Sequence, residues 1–162
     1  MPVPVFESIA TALKIRLESI DTANGYLLTV DGVTRPIRLN DFEPVSYHIL
    51  LTQGDLSPND ALTCIGNPIG KAWNLPFTIN GELRPSEEDI VSLDELRNTF
   101  AAEVIKAITA PGNWHQFGGF AINSEFLEIK NYTESDGGVA GFRMGLMVMT
   151  RVSETNPYEV RA

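Results

Sequence analysis

At 162 residues the chain is long enough for one domain with a sizeable core, and 43% apolar residues exclude a disordered segment. Its 12 basic and 21 acidic residues give a formal net charge of -9. That balance repels phosphate backbones and anionic lipid, which argues against sequence-specific nucleic-acid binding and against membrane attachment. The lone cysteine, Cys64, has no internal disulfide partner; beside Leu62 and Ile65 it reads as a buried structural thiol. The opening Met1-Pro2-Val3-Pro4-Val5 has neither a basic region nor a long apolar run, so no leader peptide or membrane span is expected.

In chain order, Phe6, Ile9, Leu13, Leu17 and Ile20 recur every three or four residues and predict a helix over residues 4–20. Asn24 and Gly25 offer a left-handed stop. Residues 26–30 (YLLTV), the turn signal Asp31-Gly32 and residues 33–39 read as a short hairpin, with Pro36 marking its return strand as an edge. Residues 46–53 read as a buried strand around Ile49 and Leu50. Residues 54–60 are a loop by composition, and 61–65 form a short apolar segment. From Trp73 alternation is strict: Trp73, Leu75, Phe77 and Ile79 share one face, and Asn74, Thr78 and Asn80 the other. Pro76 has no N–H to give, so this strand is expected at an edge or bulged there.

Ser92, with Glu95 three residues on, has capping-box spacing and starts a second helix whose stripe is Leu93, Leu96, Phe100, Val104 and Ile108. Pro111-Gly112 stops it, and residues 113–124 read as an aromatic loop. Residues 126–151 then form a long hairpin around Asp136-Gly137-Gly138. Its inner face carries Leu127, Ile129, Phe142, Met144, Leu146 and Val148, with Leu127 expected opposite Leu146 and Ile129 opposite Met144. The other face carries Gly141, Arg143, Gly145, Met147, Met149 and Arg151 and is poor in charge, which predicts partial cover from a neighbour. The whole is one domain, 1–162, with extended tails at 1–4 and 153–162. The fold class is α+β: a mixed or antiparallel sheet, two main helices on one face, and a long C-terminal hairpin.

Residues 66–71 (GNPIGK) fail as a phosphate loop, because three residues separate the glycines and Ala72 follows the lysine. His48 sits in an apolar strand and reads as a core or interface side chain. His115, between Trp114 and Gln116, lacks a second His or Cys at ligand spacing. Glu87-Glu88-Asp89 reads as a solvated run before a helix N-terminus. The sequon Asn131-Tyr132-Thr133 falls in a strand and is discounted. Trp114, Phe117 and Phe120 could stack bases, but with no basic cluster nearby they read as core or interface aromatics. Candidate contact residues are therefore Gly141, Arg143, Gly145, Met147, Met149, Trp114, Phe117 and Trp73. No catalytic or metal constellation is recognised.

The order of elements resembles the tail terminator (tail completion) proteins of long-tailed bacteriophages. Three stretches carry the resemblance: the opening helix 6–20; the helix 93–108, of the form L-x-x-L-x-x-x-F-A-x-x-V-x-x-A-I; and the hairpin 129–151, with its D-G turn and long strand ending in an arginine. Residues 54–81 depart from the pattern as an extra excursion. The resemblance implies a virion protein assembled in the host cytoplasm and located at the tail neck. It implies a homohexameric ring that caps the tail tube, stops its growth and docks the head-side connector. DNA would pass the lumen without specific binding. It implies no enzymatic reaction, no cofactor and no membrane partner. Two alternatives stay open: a head–tail stopper or adaptor, and a small cytoplasmic enzyme or ligand-binding domain built on His115, Trp114 and nearby carboxylates.

Overall fold

The computed structural model describes residues 1–36, 46–66, 68–86, 89, 91–133 and 139–161. The fold is α+β. A mixed seven-stranded sheet has the order β1-β2-β4-β6-β5, with β3 added against β4 and β7 against β6. Both long helices cover one face. The expected turn at Asp136-Gly137-Gly138, the acidic pair Glu87-Glu88 and Asn67 lie outside the described residues. Among the described residues, no helix is long and apolar enough to cross a membrane.

Helix α1 spans Val5–Glu18 and buries Val5, Ile9, Ala10, Leu13 and Leu17, one stripe at helical spacing. A separate 3-10 turn follows at Thr22–Asn24. The Asp21 carboxylate accepts from Ala23 N–H, and Gly25 closes the turn at φ 82°.

Residues 37–39 of the hairpin expected over 26–39 lie outside the described residues, and among the described ones no such hairpin forms. Residues 26–31 run as an unpaired connection whose backbone groups are satisfied elsewhere: Leu27 N–H donates to Glu103 Oε2 at 2.7 Å, and Val30 N–H to Ile20 O at 2.9 Å. The buried Glu103 thus replaces a strand partner. Strand β1 (Gly32–Thr34) instead lies parallel to β2 (Tyr47–Gln53), with Val33 beside Ile49. The Asp31 carboxylate accepts from Tyr47 N–H and begins that pairing.

Strand β4 (Gly70–Leu83) is central, not an edge; it pairs β6 (Ala140–Ser153) along its whole length on one side and β2 from Phe77 to Leu83 on the other. Pro76 is tolerated because the flanking strand is broken opposite it. Strand β2 ends at Gln53, opposite Phe77, and β3 (Ser57–Pro58) resumes opposite Asn74 and Trp73. Pro76 O accepts from Gly54 N–H, so the absent N–H points into that break. Beyond β3, a 3-10 turn at Asp60–Leu62 leads to Cys64. That residue is half-buried rather than fully buried, and its backbone bridges Gly70.

Helix α2 (Leu93–Thr109) is capped by Ser92 Oγ, which accepts from Glu95 N–H at 3.2 Å. Phe100 on α2 meets Tyr47 and Phe142 edge to face, each at 5.2 Å. Gly81 leaves room for the Phe142 ring: a Cβ at Gly81 would stand 2.4 Å from it. At the other end of α2, Arg16 Nη1 donates to Ile108 O at 3.1 Å and Trp114 O at 2.9 Å, while the guanidinium lies 4.2 Å over the Phe117 ring. Burial lowers the pKa of this arginine.

The expected tail 153–162 contains a strand, β7 (Asn156–Val160), which turns back onto the end of β6.

On α1, Glu7 accepts from Arg35 Nη1 and Nη2 at 2.5 and 3.1 Å beside a hollow of about 510 Å³. The Arg35 hydrogen bonds outweigh the opposing effect of burial and hold Glu7 below the ordinary carboxylate range. A carboxyl with a depressed folded pKa stabilises above its unfolded value, and that stability is lost as pH falls through the folded value. Arg35→Gln is therefore expected to flatten the fall in melting temperature below about pH 4.5. The pair is partly exposed, so added salt should shrink the difference. Identical melting curves for both proteins across the acid range would remove this contribution.

Candidate interaction surface

The helices cover the sheet face that carries Leu75, Phe77 and Ile79 of β4 and Phe142, Met144, Leu146 and Val148 of β6, all buried. The opposite face carries the alternate residues. On β4 these are Asn74, Pro76, Thr78, Asn80 and Glu82; on β6 they are Gly141, Arg143, Gly145, Met147 and Met149. Period two thus places the five β6 candidates on one surface, opposite the helices. Met147 and Met149 are half-buried there, and Arg143 is exposed with its Nε donating to Asn80 Oδ1 at 3.1 Å.

The two glycines are not open docking points. Strand β5 (Asn123–Thr133) lays its own side chains over them. Tyr132 lies across Gly141: a Cβ there would be 2.7 Å from the Tyr132 hydroxyl and 2.3 Å from Gly81 O. That hydroxyl also donates to Glu82 Oε1 at 3.4 Å. Leu127 lies over Gly145, whose added Cβ would be 3.2 Å from Leu127 Cβ. An aromatic or large aliphatic cross-strand neighbour filling the place of a missing side chain is a known device for glycine in a sheet.

Leu127 was expected on the inner face and is found on the outer one. The pairing is regular up to Phe126 opposite Leu146 and resumes at Ile129 opposite Met144, so the extra residue of a bulge falls at 127–128. The expected Ile129–Met144 pairing stands, while the Leu127–Leu146 pairing is replaced by Phe126–Leu146. The bulge also leaves Leu127 53% and Ile129 45% exposed near the sheet edge.

Three aromatic candidates lie away from this surface. Trp73 belongs to the helix-side face at its margin, edge-on to Phe6 at 6.4 Å. Trp114 stacks on Phe126 at 5.4 Å and 27°. Phe117 is 1% exposed, so it is a core residue and not a contact residue. It holds φ 46°, a left-handed backbone that buries the ring under Arg16.

Pro76 and Leu127 belong to the surface but were not among the sequence candidates. Alternation from Asn74 to Thr78 already placed Pro76 there; the bulge that moves Leu127 has no signal in the residues themselves. With Thr78, Arg143 and Gly145 these two line a shallow hollow of about 170 Å³.

His48 is buried, with Nε2 2.8 Å from Thr34 Oγ1. His115 stands edge-on to Trp114 at 5.9 Å. Among the described residues, no group of three or more His, Cys, Asp or Glu side chains is placed to hold a metal ion. Comparison of the chain with protein-family models and with curated proteins finds no match to either.

Proposed function

We propose that the chain is a structural assembly subunit of the tail-terminator type: a hexameric ring that caps a phage tail tube and presents its far side to the head connector. One observation carries the reading. Among the described residues, helices cover one face of the sheet only, and the other face holds half-buried Met147, Met149 and Pro76 with the exposed Leu127. Flexible methionines beside a rigid proline suit a surface that packs against another protein. Ring closure needs heterologous contacts, and the two sides of a one-sided sheet differ enough to supply them. The net charge of -9 suits a lumen that DNA passes without sticking.

Two substitutions separate docking from folding on the same face. Met147→Asp is expected to shift stability by about 1 kcal/mol or less and to abolish ring formation on purified tail tubes, seen by electron microscopy. Gly141→Ala is expected to cost about 2–3 kcal/mol, because its Cβ meets backbone. Normal rings from Met147→Asp would remove this face from the interface. A wild-type chain that stays monomeric and binds no tail tube would overturn the reading. Binding to the head-side connector alone would point to a stopper instead.

A further inference from the structure

A second feature lies where β7 folds back on β6. A hollow of about 360 Å³ there is lined by Arg151, Arg161, Gln116, Phe120 and Val160 among others. Two arginines share its wall because the backbone sets them side by side: Arg161 N–H donates to Arg151 O at 3.0 Å, next to the Val152–Val160 pair. Gly70 makes the approach possible. A Cβ at Gly70 would stand 2.8 Å from Arg151 Cδ and 3.1 Å from Arg161 Cβ.

Their positive charge is only partly answered. Arg151 spends Nε and Nη2 on one neutral acceptor, Leu62 O, at 2.8 and 2.6 Å. Among the described residues it has no carboxylate within ion-pair distance. Arg161 meets Glu159 through Nη2 at 3.3 Å, while its Nε is buried with no acceptor among the described residues. Among the described residues, then, only Arg161 meets a carboxylate, and both arginines line a hollow that has Gln116 on its wall. Guanidinium donors that line one hollow match the oxygens of carboxylate and phosphate.

We propose that this hollow is an oxyanion site, taking a carboxylate or phosphate group between Arg151 and Arg161. The group is either a small solute or an acidic side chain from a second copy of the chain; its chemistry is the same. The proposal does not depend on ring assembly.

The test is a titration of the full chain with inorganic phosphate, followed through the arginine Nε–Hε resonances by NMR. The Arg151 and Arg161 resonances are expected to move together and saturate, while that of the exposed Arg84 stays put. Arg161→Gln should keep the wild-type melting temperature and weaken the effect at Arg151 about tenfold or more. Sedimentation of both proteins distinguishes the source. If phosphate and Arg161→Gln each reduce self-association, the oxyanion belongs to a second copy; if association is unmoved while the resonances saturate, it is a solute. An unsaturated drift equal at Arg84 and Arg161, or an undiminished response in Arg161→Gln, overturns the site.

Discussion

Gly81→Ala is expected to cost roughly 3 kcal/mol, a large share of the ~5–15 kcal/mol that holds a domain of this size. The reason is local. The added methyl would sit 2.4 Å from the Phe142 ring and 3.0 Å from the Phe100 ring, inside the core. Neither ring has room to retreat, because Phe142, Phe100 and Tyr47 pack edge to face in a row. The loss would appear as a lower midpoint in urea unfolding with an unchanged slope. Gly81→Val should be worse. Phe142→Leu, harmful alone, should recover part of the loss in the double variant, since the two residues compete for one space. A Gly81→Ala protein as stable as the wild type would show that the rings yield freely and that this glycine is not required.

Arg16→Ala is expected to cost about 3 kcal/mol, the range for removing a charged donor from buried acceptors. Ile108 O is among the last carbonyls of α2, which have no partner within the helix, and Trp114 O belongs to the following turn. A single guanidinium nitrogen satisfies both, and the guanidinium carbon lies 4.2 Å from the Phe117 ring centroid. Arg16→Lys should recover little, because an ammonium lacks the flat face that rests on Phe117 while a neighbouring nitrogen reaches two oxygens. Trp114 is the reporter. Its fluorescence and the near-ultraviolet circular dichroism should change in Arg16→Ala before global unfolding. If Arg16→Lys equals wild type in both stability and signal, charge alone accounts for the site.

Where a segment's periodicity matches what its surroundings require, the residues alone reveal it. The stripes of α1 and α2, the Ser92 cap and the alternation along β4 are of this kind. Three features escape because long-range partners decide them. Residues 26–30 look like a strand, but a buried carboxylate 76 positions away takes up the Leu27 N–H. Pro76 argues for an edge, and only the interruption between β2 and β3 makes a central place tolerable. The bulge at 127–128 turns Leu127 to the opposite face while leaving Ile129 in its expected pairing. The outer-face set on β6 was legible from alternation. The cover that Tyr132 and Leu127 give its glycines was not, since it depends on register between strands.

The long central pairing has a kinetic side. Strands β4 and β6 pair Leu83 with Ala140 at one end and Gly70 with Ser153 at the other, and all of α2 and β5 lie between them in the chain. Local hairpin contacts can bring β5 onto β6 early, but β4 must wait for a large loop to close. Contacts of such separation slow folding toward the millisecond-to-second range. During that interval the β6 edge and the β4 edge that later meet would be unpaired, so refolding yield should fall as protein concentration rises.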